Sequence, residues 1–311
     1  MSTDPAPAQR RLAWSGPTMG SRWSAVAYAP AGFDAAALQD RLAAAVEEVD
    51  RQMSTWRAES DLNRLNGAPV GAWVEIPRAL GEVLATALAV GEASGGLFDI
   101  GVGDLVTAWG FGGGRRVPDD AAIRASAGRR SFEPPKTLQL DAAMRRARKL
   151  APLTLDLSGI AKGFGVDELG RVLEEAGLAS WLAGIDGEMR AAGTKPGGQP
   201  WLVGHEAPAP DRRELAGVLA LEDAAVATSG SYRHRTAHDG VEASHTMDPR
   251  TGGPLAGDLA SVTVIARTCM AADAWATAIM VAGSRRGVAL ARSAGLDVVM
   301  TRTDGQVVST L

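Results

Sequence analysis

Leu38, Leu42, Val46 and Val49 recur every three or four positions through DAAALQDRLAAAVEEVDRQ, residues 34 to 52. That spacing gathers them on one face of a helix, and Asp34 stands where a cap belongs. Pro77 to Ser94 repeats the pattern, so a second helix is expected there. Ahead of the first helix, residues 1 to 11 read as a flexible tail and residues 12 to 29 as strand-like segments around PTMGS. MSTWRAESDLNRLN reads as a loop and a short helix, then Pro118 to Arg129 and Ala142 to Arg148 as short helices flanking a strand near Leu138 to Leu140.

Further along, Leu155 to Leu157 look like the end of a buried strand, and Val166 to Leu178 like a helix. SWLAGIDGEMRAAG, PWLVGHEA, ELAGVLALEDAAVATSG and SVTVIA read as strands. MAADAWATAIMVAG and RRGVALARSAG read as helices, and DVVMTR with QVVST as a last hairpin around Asp304-Gly305. Helices and strands mix without regular βαβ alternation, so an α+β fold is expected, with antiparallel or mixed sheets flanked by helices. No linker is long or polar enough to divide the chain, which predicts one domain over residues 12 to 311.

Composition narrows the function classes. The 311 residues are 46% apolar and 22% charged, as in ordinary globular proteins. A net charge of −4, with both signs interleaved, argues against a nucleic-acid partner, which calls for a basic face. The single cysteine, Cys269, excludes an internal disulfide and a cysteine-built zinc site. No apolar run reaches signal-peptide length at the start, and none approaches the roughly 20 residues of a membrane helix. A soluble, cytoplasmic protein with no membrane segment is therefore expected.

Three stretches carry candidate chemistry. In LDLSGIAKGFGVDELG, residues 155 to 170, Gly159, Gly163 and Gly165 surround Lys162 at the mouth of a helix, a place where anions bind. The spacing is neither the P-loop nor the dinucleotide fingerprint, and a tight turn with a solvent-facing lysine accounts for it as well. In AADAWATAIM, Asp273 and Thr277 are one helical turn apart, an oxygen pair that suits a hard cation such as Mg2+. The same pair also reads as a cap and a hydroxyl bonded back to the helix. In SHTMDPRTGGP, His245, Asp248 and Arg250 crowd between turn formers, either as a functional loop with a general base or as an ordinary turn.

Taken in order, TMGS, MSTW…SDLNRLN, GGLFDIGVGDLVTAWGFG, LDLSGIAKGFGVD, ATSGSYR, SHTMDPRTGGP and AADAWATA resemble the FAD:protein FMN transferases, the ApbE family, over roughly residues 16 to 285. The resemblance implies a single T-fold-like α+β domain that binds FAD as substrate. It implies that Met19, Trp56, Leu97, Phe98 and Asp99 line the flavin or adenine portion and that Asp156 and Lys162 lie near the nucleotide. It also implies that the Met247 backbone touches the isoalloxazine, and that Asp273, Thr277 and the Gly159 carbonyl bind Mg2+. The implied reaction joins the FMN phosphorus to a threonine hydroxyl of an acceptor flavoprotein carrying an Asp-x-x-Thr type motif. AMP leaves, and His245 is the candidate base. The alternatives are an Mg2+-dependent FAD pyrophosphatase and a non-catalytic FAD-binding protein. Two positions depart from the pattern: Asp186-Gly187 where two glycines are common, and His205 where an apolar residue is common.

Overall fold

A computed structural model describes residues 9–112, 117–126, 137–209, 214–231, 235–238 and 241–311, with backbone alone for 235–238 and 241–242. Tyr232, Arg233 and His234 of TSGSYRHR, and the end of the helix expected over Pro118 to Arg129, lie outside the described residues.

The chain opens with β1 (Gln9–Thr18) and β2 (Ser21–Pro30), then α1 (Ala36–Met53), α2 (Asp61–Gly67), β3 (Val74–Glu75), α3 (Arg78–Ser94), α4 (Gly103–Ala108) and α5 (Asp120–Ser126). Next come β4 (Leu138–Asp141), β5 (Arg146–Lys149), α6 (Ala161–Glu175), β6 (Trp181–Ile185), β7 (Glu188–Ala192), β8 (Trp201–Glu206), β9 (Leu215–Leu221) and β10 (Ala224–Gly230). The last part holds β11 (Arg235–His238), β12 (Val241–Ser244), β13 (Met247–Asp248), β14 (Gly253–Pro254), β15 (Leu259–Ala266), α7 (Cys269–Ser293), β16 (Asp297–Arg302) and β17 (Val307–Ser309).

One eight-stranded sheet, in the order β1-β2-β6-β7-β10-β15-β16-β17, runs through both ends of the chain. Every neighbouring pair in it is antiparallel. The expected α+β class is what the chain adopts. Period-two alternation assigns the two sheet faces. Ala25, Ala27 and Ala183 join Trp23, Trp181, Leu42, Val46 and Leu169 under α1 and α6. The intervening Val26, Tyr28 and Leu182 face the β8–β9 ribbon and its Trp201 and Val203. Small residues on the helix side let α6 lie close, and each large side chain fully buried there contributes about 1.5–3 kcal/mol. A second cluster, with Leu80, Leu84, Leu157, Val264 and Ile279, packs α2, α3 and α7 together.

The structure corrects several expectations. β1 starts at Gln9, inside the stretch expected as tail, because Gln9 to Arg11 pair with Tyr28 to Pro30. Residues Ala142 to Arg148 form no helix: Arg146 to Lys149 are strand β5, antiparallel to β4. The alternation there decides it, since Ala147 and Lys149 turn inward while Arg146 and Arg148 each stack 4.5 Å from the Trp73 ring centroid. Leu155 to Leu157 are buried but belong to no strand.

The two helices expected near the C-terminus are one run, α7, broken at Gly283, whose φ of 76° and ψ of 170° leave the helical region. Asp258 caps the restart, accepting from the Ser284 amide at 3.0 Å and from the Ser284 hydroxyl. Those bonds hold its carboxyl below the usual range. A depressed carboxyl stabilises the fold above its unfolded value and loses that contribution as pH falls through the folded one. Asp258→Ala should therefore lower Tm at pH 7 by about 2 °C, the worth of a cap of about 1 kcal/mol. Melting curves at pH 7 and pH 3 should show that gap narrowing in acid.

Candidate functional site

The site begins where the first turns of α6 and α7 meet. Gly163 in α6 donates its N–H to Asp273 Oδ2 of α7 at 3.0 Å. In return, Asp167 of α6 accepts from the α7 amides of Cys269 and Met270 at 3.0 and 2.9 Å. Each helix thus supplies the carboxylate that its neighbour's unpaired amides and positive end require. The crossing is this close because position 163 has no side chain. A Cβ there would lie 2.4 Å from the Cys269 carbonyl oxygen and 2.8 Å from Asp273 Cβ. Gly163→Ala should cost about 1–3 kcal/mol or more through overpacking, read as a lower Tm together with lost activity.

These contacts revise the local reading of the glycine stretch. α6 starts at Ala161, not Val166, so Lys162 and Gly163 belong to its first turn. Gly163 and Gly165 make room for α7 and for Ile185 and Met19. The anion on the α6 amides is Asp273 itself.

Charge concentrates around this crossing. Lys162 Nζ donates to Glu188 Oε1 at 2.6 Å and lies 3.9 Å from Asp186. Burial disfavours the ammonium, but Glu188, Asp273 and Asp186 outweigh it and raise the Lys162 pKa. Burial pushes Asp273 up to about 7, with Glu188 adding to it and Lys162 opposing. Burial likewise raises Glu188, against Lys162, and its Oε2 has no hydrogen-bond partner. Three carboxyl groups face one ammonium, leaving room in the electrostatics for a further cation.

Oxygen donors converge beside it. Thr277 follows Asp273 by one turn and shares a hydrogen bond of 3.2 Å with Ser229. Gly159 presses against it so closely that a Cβ would sit 3.0 Å from Thr277 Oγ1 and 3.3 Å from the Phe98 ring. Among the described residues no three His, Cys, Asp or Glu side chains form a metal cage of their own. A buried carboxylate and a hydroxyl one helical turn apart, with the Gly159 backbone against the hydroxyl, nonetheless suit Mg2+, which keeps several waters and takes few protein oxygens.

A cavity of about 550 Å³ opens next to these groups, bounded by Met19, the Met53 to Arg57 loop, Leu157, Ser158 and Lys162. That volume lies within the range of small-molecule and cofactor sites. Met19 and Gly20, with φ of 46° and 70°, turn the β1–β2 hairpin in a conformation costly for a methionine. Trp56 is 58% exposed on the opposite wall. Asp156 accepts from the Ser158 amide at 2.8 Å and shapes the segment that delivers Gly159.

The remaining expected residues do not line the cavity, although the Phe98 ring packs against Gly159. Leu97 and Phe98 are 1% and 4% exposed, inside the core, and Asp99 accepts from the Gly101 amide at 2.7 Å. His245 is half-buried, its ring 6.3 Å from that of Phe111. Met247 is buried in the β13–β14 hairpin. Arg250 ties that hairpin to α7, pairing with Asp248 and donating to the Val281 carbonyl at 3.0 Å, one turn past Thr277. Burial would raise the Asp248 pKa, but its bonds to Arg250 win and lower it. His205, on β8, is buried with its Nε2 unpartnered and its pKa lowered by burial.

Glu188, Asp167 and Ser229 went unnoticed in the sequence. Glu188 left one signal, an acid directly after the Asp186-Gly187 turn at an inward strand position. Asp167 left none, and Ser229 stood only as one hydroxyl within ATSGSYR, since their roles exist only across α6 to α7 and β10 to α7.

Against known proteins, residues 19–300 match the family model described as the ApbE family. An FAD:protein FMN transferase of Vibrio cholerae serotype O1 is 36% identical over 295 residues, 93% of this chain and 87% of that one. The solved flavin transferase ApbE from Vibrio cholerae superposes with a TM-score of 0.86 at 35% identity, covering 97% of both chains. The crystal structure of the ApbE protein from Thermotoga maritima gives 0.85 at 26%, also over 97% of each.

Proposed function

The chain belongs to the ApbE family, and from that premise we propose how its residues carry the family's reaction: the cavity takes FAD, His245 activates a threonine hydroxyl, and the α6–α7 crossing holds magnesium. The protein is a transferase that moves FMN from FAD to an acceptor protein. Among the described residues no helix is long and apolar enough to cross a membrane. Work in the cytoplasm, and an acceptor flavoprotein marked by an Asp-x-x-Thr type motif, are parts of the same proposal.

What supports it is the contact of Gly159 with Thr277, one turn from the buried Asp273, beside a cavity of about 550 Å³ that Ser158 and Lys162 line. Asp273, Thr277 and the Gly159 carbonyl would hold Mg2+, which supplies positive charge for diphosphate oxygens when bound. Lys162, kept protonated by its acid neighbours, faces the same anion as a point charge. Trp56 and Met19 offer flat apolar surface to a ring, Asp156 sets the turn leading to Gly159, and the Leu97 to Asp99 segment backs the site from the core. The Met247 backbone would touch the isoalloxazine from the hairpin anchored on α7.

A threonine hydroxyl is a weak nucleophile at neutral pH, and an imidazole nitrogen of His245 takes its proton as the oxygen bonds to the FMN phosphorus. The bond from that phosphorus to the AMP oxygen breaks, and AMP leaves with the electron pair.

Incubation with FAD, Mg2+ and an acceptor flavoprotein tests this directly. A denatured acceptor band that fluoresces as flavin, with one AMP per band, is the expected result. Free FMN released equally fast with and without acceptor would instead make the protein a pyrophosphatase. FAD binding without any AMP would make it a binding protein.

A further inference from the structure

The two walls of the cavity come from distant parts of the chain: the Met53 to Arg57 loop on one side, Leu157 and Ser158 on the other. Between them, outside the cavity lining, lies the short helix α2. Its side chains reach both ways. Asn63 Nδ2 faces three backbone carbonyls of the Trp56 loop, Arg57 at 2.8 Å, Thr55 at 3.2 Å and Ser54 at 3.4 Å. One turn along, Asn66 pairs with Leu155 through two bonds, accepting its N–H at 2.7 Å and donating to its C=O at 2.9 Å. These partners fix both amide orientations, because carbonyl oxygens can face only the donating NH2, whose two hydrogens they share, and only a donor–acceptor pair satisfies a peptide unit.

α2 is itself anchored in the core. Leu62 and Leu65 are fully buried in the second core cluster, and the Ser60 side chain caps the helix by accepting the Asn63 amide at 3.0 Å. Parts of both walls are helical, Val49, Asp50 and Met53 in α1 and Ala161 and Lys162 in α6, but the segments that α2 holds are not. The Trp56 loop is bend and turn, and Leu155 to Leu157 have no strand neighbour. Asn66 serves the Leu155 peptide groups, while those on either side pair with residues 100 to 103. Asp156 N–H donates to Ile100 O at 2.8 Å and Gly103 N–H to Thr154 O at 3.0 Å.

We propose that Asn63 and Asn66 are positioning residues that hold the two walls of the nucleotide cavity apart at the spacing FAD requires. This rests on the reading of the cavity as the FAD site. Asn63 governs the Trp56 wall, so it acts on ground-state binding. Asn66 governs the segment that ends at Gly159, so it also acts on the oxygens around the reacting diphosphate.

The two substitutions therefore separate in kinetics. When a wall is competent only a fraction of the time, apparent affinity falls by that fraction, so a loop ordered one-tenth of the time weakens binding about tenfold. Asn63→Ala should raise Kd and KM for FAD about tenfold with kcat retained, whereas Asn66→Ala should lower kcat as well. Calorimetric titration with FAD, steady-state AMP release and melting curves on the full chain give the three readouts. Should the alanine variants not fold, the near-isosteric Asn63→Asp and Asn66→Asp carry the same expectation. Lower Tm with KM and kcat both unchanged would overturn the proposal. If Trp56→Ala weakens FAD while Asn63→Ala does not, the clamp is refuted and the cavity reading stands. A wild-type chain that binds no FAD sinks both.

Discussion

Asp273→Asn should leave a folded protein that transfers FMN about 10³-fold more slowly or worse. The size follows from the several kcal/mol a divalent ion contributes to charge development at phosphorus, at 1.36 kcal/mol per tenfold in rate. The substitution isolates charge from structure. An asparagine Oδ1 still accepts the Gly163 amide that Asp273 accepts at 3.0 Å, so the α6 cap survives. Stability should hold or rise, because the wild-type fold buries this carboxylate beside Glu188, and burial is the largest cause of its raised pKa. Parallel melting and transfer assays would show high Tm with lost turnover, and calorimetry would show weakened Mg2+ binding. A variant with near-normal, magnesium-dependent transfer would mean the ion is held elsewhere.

How much of this was legible follows from where each interaction lies. Leu38, Leu42, Val46 and Val49 announced α1 because its burial is one-sided, and all four are at most 3% exposed. Asp273 and Thr277 were findable because their relation is local, one turn on a single helix. The start of α6 was hidden because Gly163 and Gly165 look like loop glycines, while their purpose is contact with α7, β6 and Met19. Ala142 to Arg148 misled through good helix formers, overruled by pairing with β4 and stacking on Trp73. Glu188, Asp167, Asn63 and Asn66 act on partners 6 to 103 residues away. Local pattern cannot show such pairings, which tertiary structure alone creates.

His245→Ala should slow transfer by about 10²–10⁴-fold, the usual worth of a positioned base, without weakening FAD binding. The loop that carries His245 has other anchors. Met247 pairs with Pro254, Leu255 donates to Thr246 O at 2.8 Å, and Arg250 fastens the hairpin to α7. Losing the imidazole removes a proton acceptor and its contact with Phe111 but leaves these anchors of the hairpin in place, so Tm should move little. The expected signature is a fallen kcat with an unchanged Kd for FAD, and added imidazole should restore part of the rate. Comparison with Asp273→Asn then sorts the two roles. The carboxylate acts on FAD whatever attacks it, so its loss should suppress transfer and hydrolysis together. The base acts on the attacking hydroxyl, so its loss should spare whatever slow FAD hydrolysis water achieves without it. If His245→Ala transfers FMN undiminished, the proton leaves threonine by another route and a different base must be sought.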